Sequence, residues 1–133
     1  MRVFLDTNVL VSASFWQGAS YRILLEIAGG KILGFTSPPV LDEYRRVLKR
    51  DFSMSEAEAD SAIEKLLGIL SMVSPSKTLD VVKEDPADNR ILEGALEAKA
   101  EILVSQDKHL LKIGKFENIE VIKPEAFLER MKF

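Results

Sequence analysis

Four carboxylates occupy positions where an ordinary core would not place them: Asp6, Glu43, Asp88 and Asp107. Asp6 interrupts the apolar run VFLDTNVLV (residues 3–11), and an unpaired buried carboxylate is costly, so the fold must give it an opening or a partner. Asp107 follows the apolar Ile102-Leu103-Val104 after only Ser105 and Gln106. Asp88 precedes Ile91, Leu92, Ala95 and Leu96 at offsets of three, four, seven and eight, in line with the buried stripe of a helix. Glu43 borders the stripe formed by Val40, Leu41, Tyr44, Val47 and Leu48. Each acid also has a plainer reading. Asp6 and Asp107 suit loops or caps, Asp88 suits a reciprocal cap with Asp85, and Glu43 suits a surface pair with Arg46 or Arg50. Spacing alone leaves both readings open.

Were the four to converge, they would repel one another and raise one another's pKa values. A divalent cation removes that conflict and could activate water and steady the charge developing on a phosphodiester. With no cysteine and a single histidine, sulfur-ligated zinc, thiolate chemistry and multi-histidine sites within one chain are excluded. The metal would be held mainly by oxygen, which points to Mg²⁺ or Mn²⁺, one ion or two. Thr7, Asn8, Asn89 and Ser105 are polar neighbours that could position water or substrate. Arg45, Arg46, Lys49 and Arg50 lie near Glu43, and Lys108, Lys112 and Lys115 near Asp107, so both acids have basic residues able to hold a nucleic-acid backbone. His109 could touch substrate or metal-bound water, although a half-exposed helix residue is the plainer reading. Phe15 and Trp16, read as part of a loop after the first strand, could stack on an RNA base or serve a dimer interface or the core.

Strands and helices must deliver these side chains. Residues 2–5, 32–36, 101–104 and 120–122 read as short strands, and 70–73 as a weaker one. Helices are expected over 20–28, stopped by Gly29-Gly30, and over 40–50, opened by Ser37-Pro38-Pro39. A third follows the Ser55/Glu58 capping box, a fourth runs from Asp85-Pro86 to about 99, and a fifth covers 124–131. The alternation predicts an α/β fold, a three-layer α/β/α sandwich around a mainly parallel sheet of about five strands. Ligands of such sheets bind at the carboxyl ends of the strands, where Asp6 and Asp107 fall.

The 133 residues suit one domain spanning 1–133, and 47% hydrophobic with 29% charged residues describes an ordinary globular protein. No stretch has the length of a membrane span, and Asp6 and Asn8 cut the run a signal peptide would need, so a cytoplasmic location is expected. The net charge of -3 argues against binding nucleic acid by bulk positive charge, but not against binding through metal ions.

The segments FLDTNVLVSA, SPPVLDEYRRVL, DPADNRILEGALEAKAEILVSQDKHLL and VIKPEAFL, in this order over residues 2–128, resemble the PIN-domain family, and within it the small prokaryotic VapC-like toxins. The resemblance implies a parallel α/β/α sandwich and a metal-dependent ribonuclease whose acidic site maps onto Asp6, Glu43, Asp88 and Asp107. It also implies a homodimer and, for the toxin type, a cognate antitoxin protein. Asn8 and Ser105 match polar positions of the family's motifs. Haloacid-dehalogenase-like phosphatases also open with an aspartate after the first strand but need a second aspartate two residues on, where this chain has Asn8. A PIN-like module that binds RNA or antitoxin without cutting would be favoured by loss of one of the acids, and all are present.

Overall fold

The computed structural model describes residues 1–83 and 85–132. Val3, Phe4 and Leu5 are wholly buried in β1 (Arg2–Leu5), as a strand covered on both faces requires. The chain continues through α1 (Thr7–Phe15), α2 (Ala19–Ala28), β2 (Leu33–Thr36), α3 (Pro38–Phe52), α4 (Glu56–Leu67) and β3 (Ser71–Met72). It then forms α5 (Pro86–Glu97), β4 (Ile102–Val104), α6 (Lys108–Ile113), β5 (Lys115–Phe116), β6 (Ile119–Ile122) and α7 (Pro124–Met131). The six strands lie in the order β3-β2-β1-β4-β6-β5, one more than expected. The extra strand is β5, a two-residue piece pairing antiparallel with β6, while every other pairing is parallel.

Helices cover both faces of this α/β sandwich. Gly34 of β2 faces α2 so closely that a Cβ there would lie 2.6 Å from Ile27 Cδ1. The alternate face of β1 carries the Phe4 ring, which fills the space a side chain at Gly94 of α5 would need. Successive strand residues point to opposite faces, so α2 and α5 lie on opposite sides of the sheet. The expected capping box is formed: Ser55 N–H donates to Glu58 Oε1 at 2.9 Å and Glu58 N–H to Ser55 Oγ at 3.1 Å.

Helix α1 was not expected. The residues after Asp6 read as a polar break and a return to the core, yet they form a nine-residue helix starting at Thr7. A second unforeseen feature is the extended segment before α5. Asn89, Glu93 and Glu97, one helical turn apart, hold its backbone: Asn89 Oδ1 accepts from Val81 and Val82 N–H, Glu93 Oε2 from Leu79 N–H, and Glu97 Oε1 from Ser76 N–H. Side chains of α5 thus do the work that a neighbouring strand would do in a sheet.

Candidate functional site

The strand order fixes where a ligand can enter. From β1 the chain steps to β2 and β3 on one side, then returns to β4 on the other. The point of reversal lies between β1 and β4, and the crevice at their carboxyl ends is where ligands of such sheets bind. Asp6 leaves β1 there, and Ser105 to Asp107 leave β4. Asp6 N–H donates to Val104 C=O at 3.0 Å, fixing the two strand ends together.

Side chains then stitch the two ends. Asp6 Oδ1 accepts from Thr7 N–H at 2.7 Å and Oδ2 from Ser105 Oγ–H at 2.6 Å. Ser105 Oγ in turn accepts from Asp107 N–H at 2.9 Å, and Asn8 Oδ1 accepts from Gln106 N–H at 3.2 Å. Asp107 caps α6, its Oδ1 accepting from His109 and Leu110 N–H at 2.8 and 3.1 Å. Asp6 also stands at the N-cap of α1, so the plain cap reading holds for both acids as geometry without excluding further work.

Asp88 is different. The cap of α5 belongs to Asp85, whose Oδ1 accepts from Ala87 N–H at 3.1 Å, and the reciprocal Asp85–Asp88 cap does not form. Asp88 is 6% exposed, and its Oδ2 has no hydrogen-bond partner among the described residues. Burial, reinforced by the charges of Asp107, Asp85 and Asp6, pushes its carboxyl up to about 7. Burial also pushes Asp6 up to about 6, against the lowering effect of its Ser105 and Thr7 hydrogen bonds and with the charges of Glu43 and Asp107 adding to the rise. Glu43 therefore lies within electrostatic reach of Asp6. It is half-buried and lines a cleft of about 230 Å³ with Arg46, Ala87 and Arg90.

The bare fold thus disfavours the charged forms of two acids, and a cation would reverse that preference. The donors suit one: Asp88, Asp107 and His109 each offer an atom within 4.8 Å of the others'. Asp6 stands outside that tight group but acts on Asp88 through charge, and Glu43 in turn acts on Asp6. His109, treated as peripheral on sequence grounds, is drawn in because α6 carries it back toward the first turn of α5. No spacing rule links residues on these two helices; a lone histidine two residues from an acid at a strand end was the available signal.

Other candidates are placed elsewhere. Asn89 does not face a substrate: its Oδ1 takes both Val81 and Val82 N–H, and its Nδ2 donates to Val82 C=O at 3.0 Å. Asn89→Ala is expected to cost about 2 kcal/mol and to expose the chain around 74–82 to limited proteolysis; unchanged digestion would remove this clamping role. Arg45 pairs with Glu56 and Asp60, and Lys49 with Glu56, so these charges join α3 to α4. Arg46 and Lys108 remain exposed beside Glu43 and Asp107. Thr7 is buried with Oγ1 unpartnered among the described residues. Phe15 is not in a loop but ends α1, stacked on Phe52 with ring centroids 3.7 Å apart, and Trp16 packs edge-on to both. Nine residues of helix separate this cluster from Asp6 by about 13 Å, so Trp16 is not positioned to stack on a base at the acids.

A PIN-domain family model matches residues 2–109. Among solved structures, the chain is similar to the VapBC2 complex of Rickettsia felis bound to a DNA fragment from its promoter, with TM-score 0.64 and 20% identity over 91% of this chain and 97% of that one. It is also similar to PAE2754 from Pyrobaculum aerophilum, with TM-score 0.65 and 17% identity over 99% of this chain and 90% of that one. No curated protein sequence matches it. No described helix is long and apolar enough to cross a membrane.

Proposed function

The chain belongs to the PIN-domain family, whose members are generally metal-dependent nucleases, and from that premise we propose that it is an endoribonuclease acting with Mg²⁺ or Mn²⁺. The observation that carries this reading is the buried Oδ2 of Asp88, unpartnered among the described residues, at the reversal point of the sheet, beside Asp6 and Asp107. Asp88 and Asp107 would hold the cation, with Asp6 and Glu43 completing the acidic set. When bound, the cation supplies a water of lowered pKa and neutralises charge on the phosphodiester.

The chain's own residues do the rest. Ser105 and the Thr7 amide hold both oxygens of Asp6 in fixed directions, so the acid needs no reorganisation when substrate arrives. Asn8 ties α1 to the loop bearing Asp107 and keeps the two halves of the site in register. Arg46, beside Glu43, and Lys108, beside Asp107, would grip RNA phosphates on either side of the acids. The fold likeness to VapBC2 supports a role as the toxin of a toxin–antitoxin pair, working in the cytoplasm as a single-domain homodimer restrained by a cognate antitoxin.

The test incubates labelled single-stranded RNA with the protein and Mn²⁺ or Mg²⁺, beside DNA of the same sequence, an EDTA control and Asp6→Asn. Cleavage of RNA that disappears with chelation and with the substitution is expected. Cutting that survives both would overturn the mechanism, and preference for DNA would overturn the substrate. An inert wild-type protein would favour the binding-only module.

A further inference from the structure

Among the groups able to hold a cation, one donor is of a different chemical kind from the rest. We infer that His109 is a direct ligand of the metal, supplying an imidazole nitrogen to a centre otherwise built of carboxylates, and that it biases the centre toward Mn²⁺ over Mg²⁺. The inference rests on the nuclease reading above and goes further, in naming a ligand and a metal preference.

Two observations support it independently. The first is geometric: His109, Asp107 and Asp88 present atoms within 4.8 Å of one another, a separation that ligands of a common ion span. His109 Nδ1 lies 3.9 Å from Asp107 Oδ1, beyond hydrogen-bond range. The second is the Oδ2 of Asp88, on a residue more than nine-tenths buried, which has no hydrogen-bond partner among the described residues although its carboxyl faces the charge of Asp107. Asp107 Oδ1 is already committed to two backbone amides of α6, which leaves Oδ2 as its free donor. The same capping bonds fix the start of α6 and hence the position of His109. The imidazole, about one-third exposed, is reachable from solvent and is not consumed by core packing.

The chemical consequence follows from ligand preference. Mg²⁺ is a hard cation that takes oxygen donors and sheds its waters reluctantly. Mn²⁺ stands nearer the metals that favour imidazole. Replacing one oxygen donor by nitrogen therefore penalises Mg²⁺ more than Mn²⁺. Removing the imidazole is expected to weaken Mn²⁺ binding by roughly ten- to a hundredfold and to change Mg²⁺ binding by no more than about threefold.

Because the chain holds a single histidine, an imidazole coupling has one possible source. Electron spin-echo spectroscopy of the Mn²⁺-loaded protein reads it directly. The expected spectrum shows ¹⁴N modulation in wild-type protein, replaced by a ¹⁵N signal when only histidine is labelled with ¹⁵N, and lost in His109→Ala. Labelling the wild-type chain keeps the test valid even if the variant folds poorly. Bound Mn²⁺ without histidine nitrogen coupling would overturn the inference and leave the all-carboxylate centre standing. Failure to bind Mn²⁺ at all would overturn this inference together with the nuclease reading. Calorimetric titration with Mn²⁺ and Mg²⁺ supplies the second readout: equal losses for both ions in His109→Ala would defeat the claimed preference.

Discussion

Replacing Asp88 with Asn is expected to raise the melting temperature of the metal-free protein at pH 8 and to cut metal-dependent RNA cleavage by at least about a hundredfold. The stability gain comes from the position of the carboxyl, raised from its ordinary value to about 7 by burial and by neighbouring acids. A carboxyl raised on folding binds its proton more tightly in the native state. Its contribution is fully present below about pH 4 and is lost as pH rises through 7. At pH 8 the bare protein carries the whole penalty, and a neutral amide of the same shape escapes it. The difference between variant and wild type should therefore be near zero at pH 4, grow through pH 7 and then level off at roughly 5 °C. Asp6, raised to about 6, gives the same sign over a lower window. For this nearly fully buried group, a shift of about two units amounts to about 3 kcal/mol. Saturating Mn²⁺ should stabilise the wild type at pH 8 by mass action and leave Asp88→Asn nearly unmoved. Calorimetric scans across pH, with and without metal, check every part of this. A variant less stable than wild type at pH 8 without metal would show that Asp88 is satisfied by the protein alone. On the proposed function, stability and activity would thus be opposed at this residue.

The second large effect is expected far from any acid. A Cβ on Gly94 would lie 2.4 Å from Cζ and 2.7 Å from Cε2 of Phe4, both ring atoms of a wholly buried side chain. Gly94→Ala should destabilise the protein by about 3 kcal/mol, at the upper end of overpacking costs. Phe4→Leu alone should cost about 1–2 kcal/mol through the space it opens. Combining the two should cost less than the sum, because the shorter side chain withdraws from the atoms that the new methyl meets. Urea denaturation of the four proteins closes this cycle, and additive losses would mean that α5 moves away bodily instead. The contact bears on the proposed site because the same helix carries Asp88, and its distance from the sheet sets how Asp88 meets Asp6 and Asp107.

Much of this arrangement was legible in the chain. Three-residue apolar runs marked β1 and β4, and the residues following them marked the sheet's carboxyl edge. Asp88 stood out because its register placed it with Ile91 and Leu92, and both groups are buried. The omissions have physical causes. Helix α1 mixes buried Val9 and Leu10 with serines and an alanine and has no clean polar face, so periodicity is silent. Its start was available as an N-cap signal in Asp6, had the acid been read as ending a strand and starting a helix at once. Asn89, Glu93 and Glu97 have the spacing of a solvent-facing row, and only the structure shows that they bind backbone amides. Gly94 looks like a weak point in a helix until Phe4 is placed beneath it. His109 joins Asp88 only through packing between α5 and α6.

The placement of β1 at the middle of the sheet has a consequence in time. Strand β1 is made well before its partner β4 and the serine that secures Asp6, which lie 99 residues further along. At about 5–20 residues per second of synthesis, roughly 5–20 s pass between the emergence of the two halves. Throughout that interval a nascent chain carries Asp6 with neither Ser105 nor Asp107 to complete it. The proposed cutting centre is therefore completed late, about a hundred residues of synthesis after Asp6 itself is made.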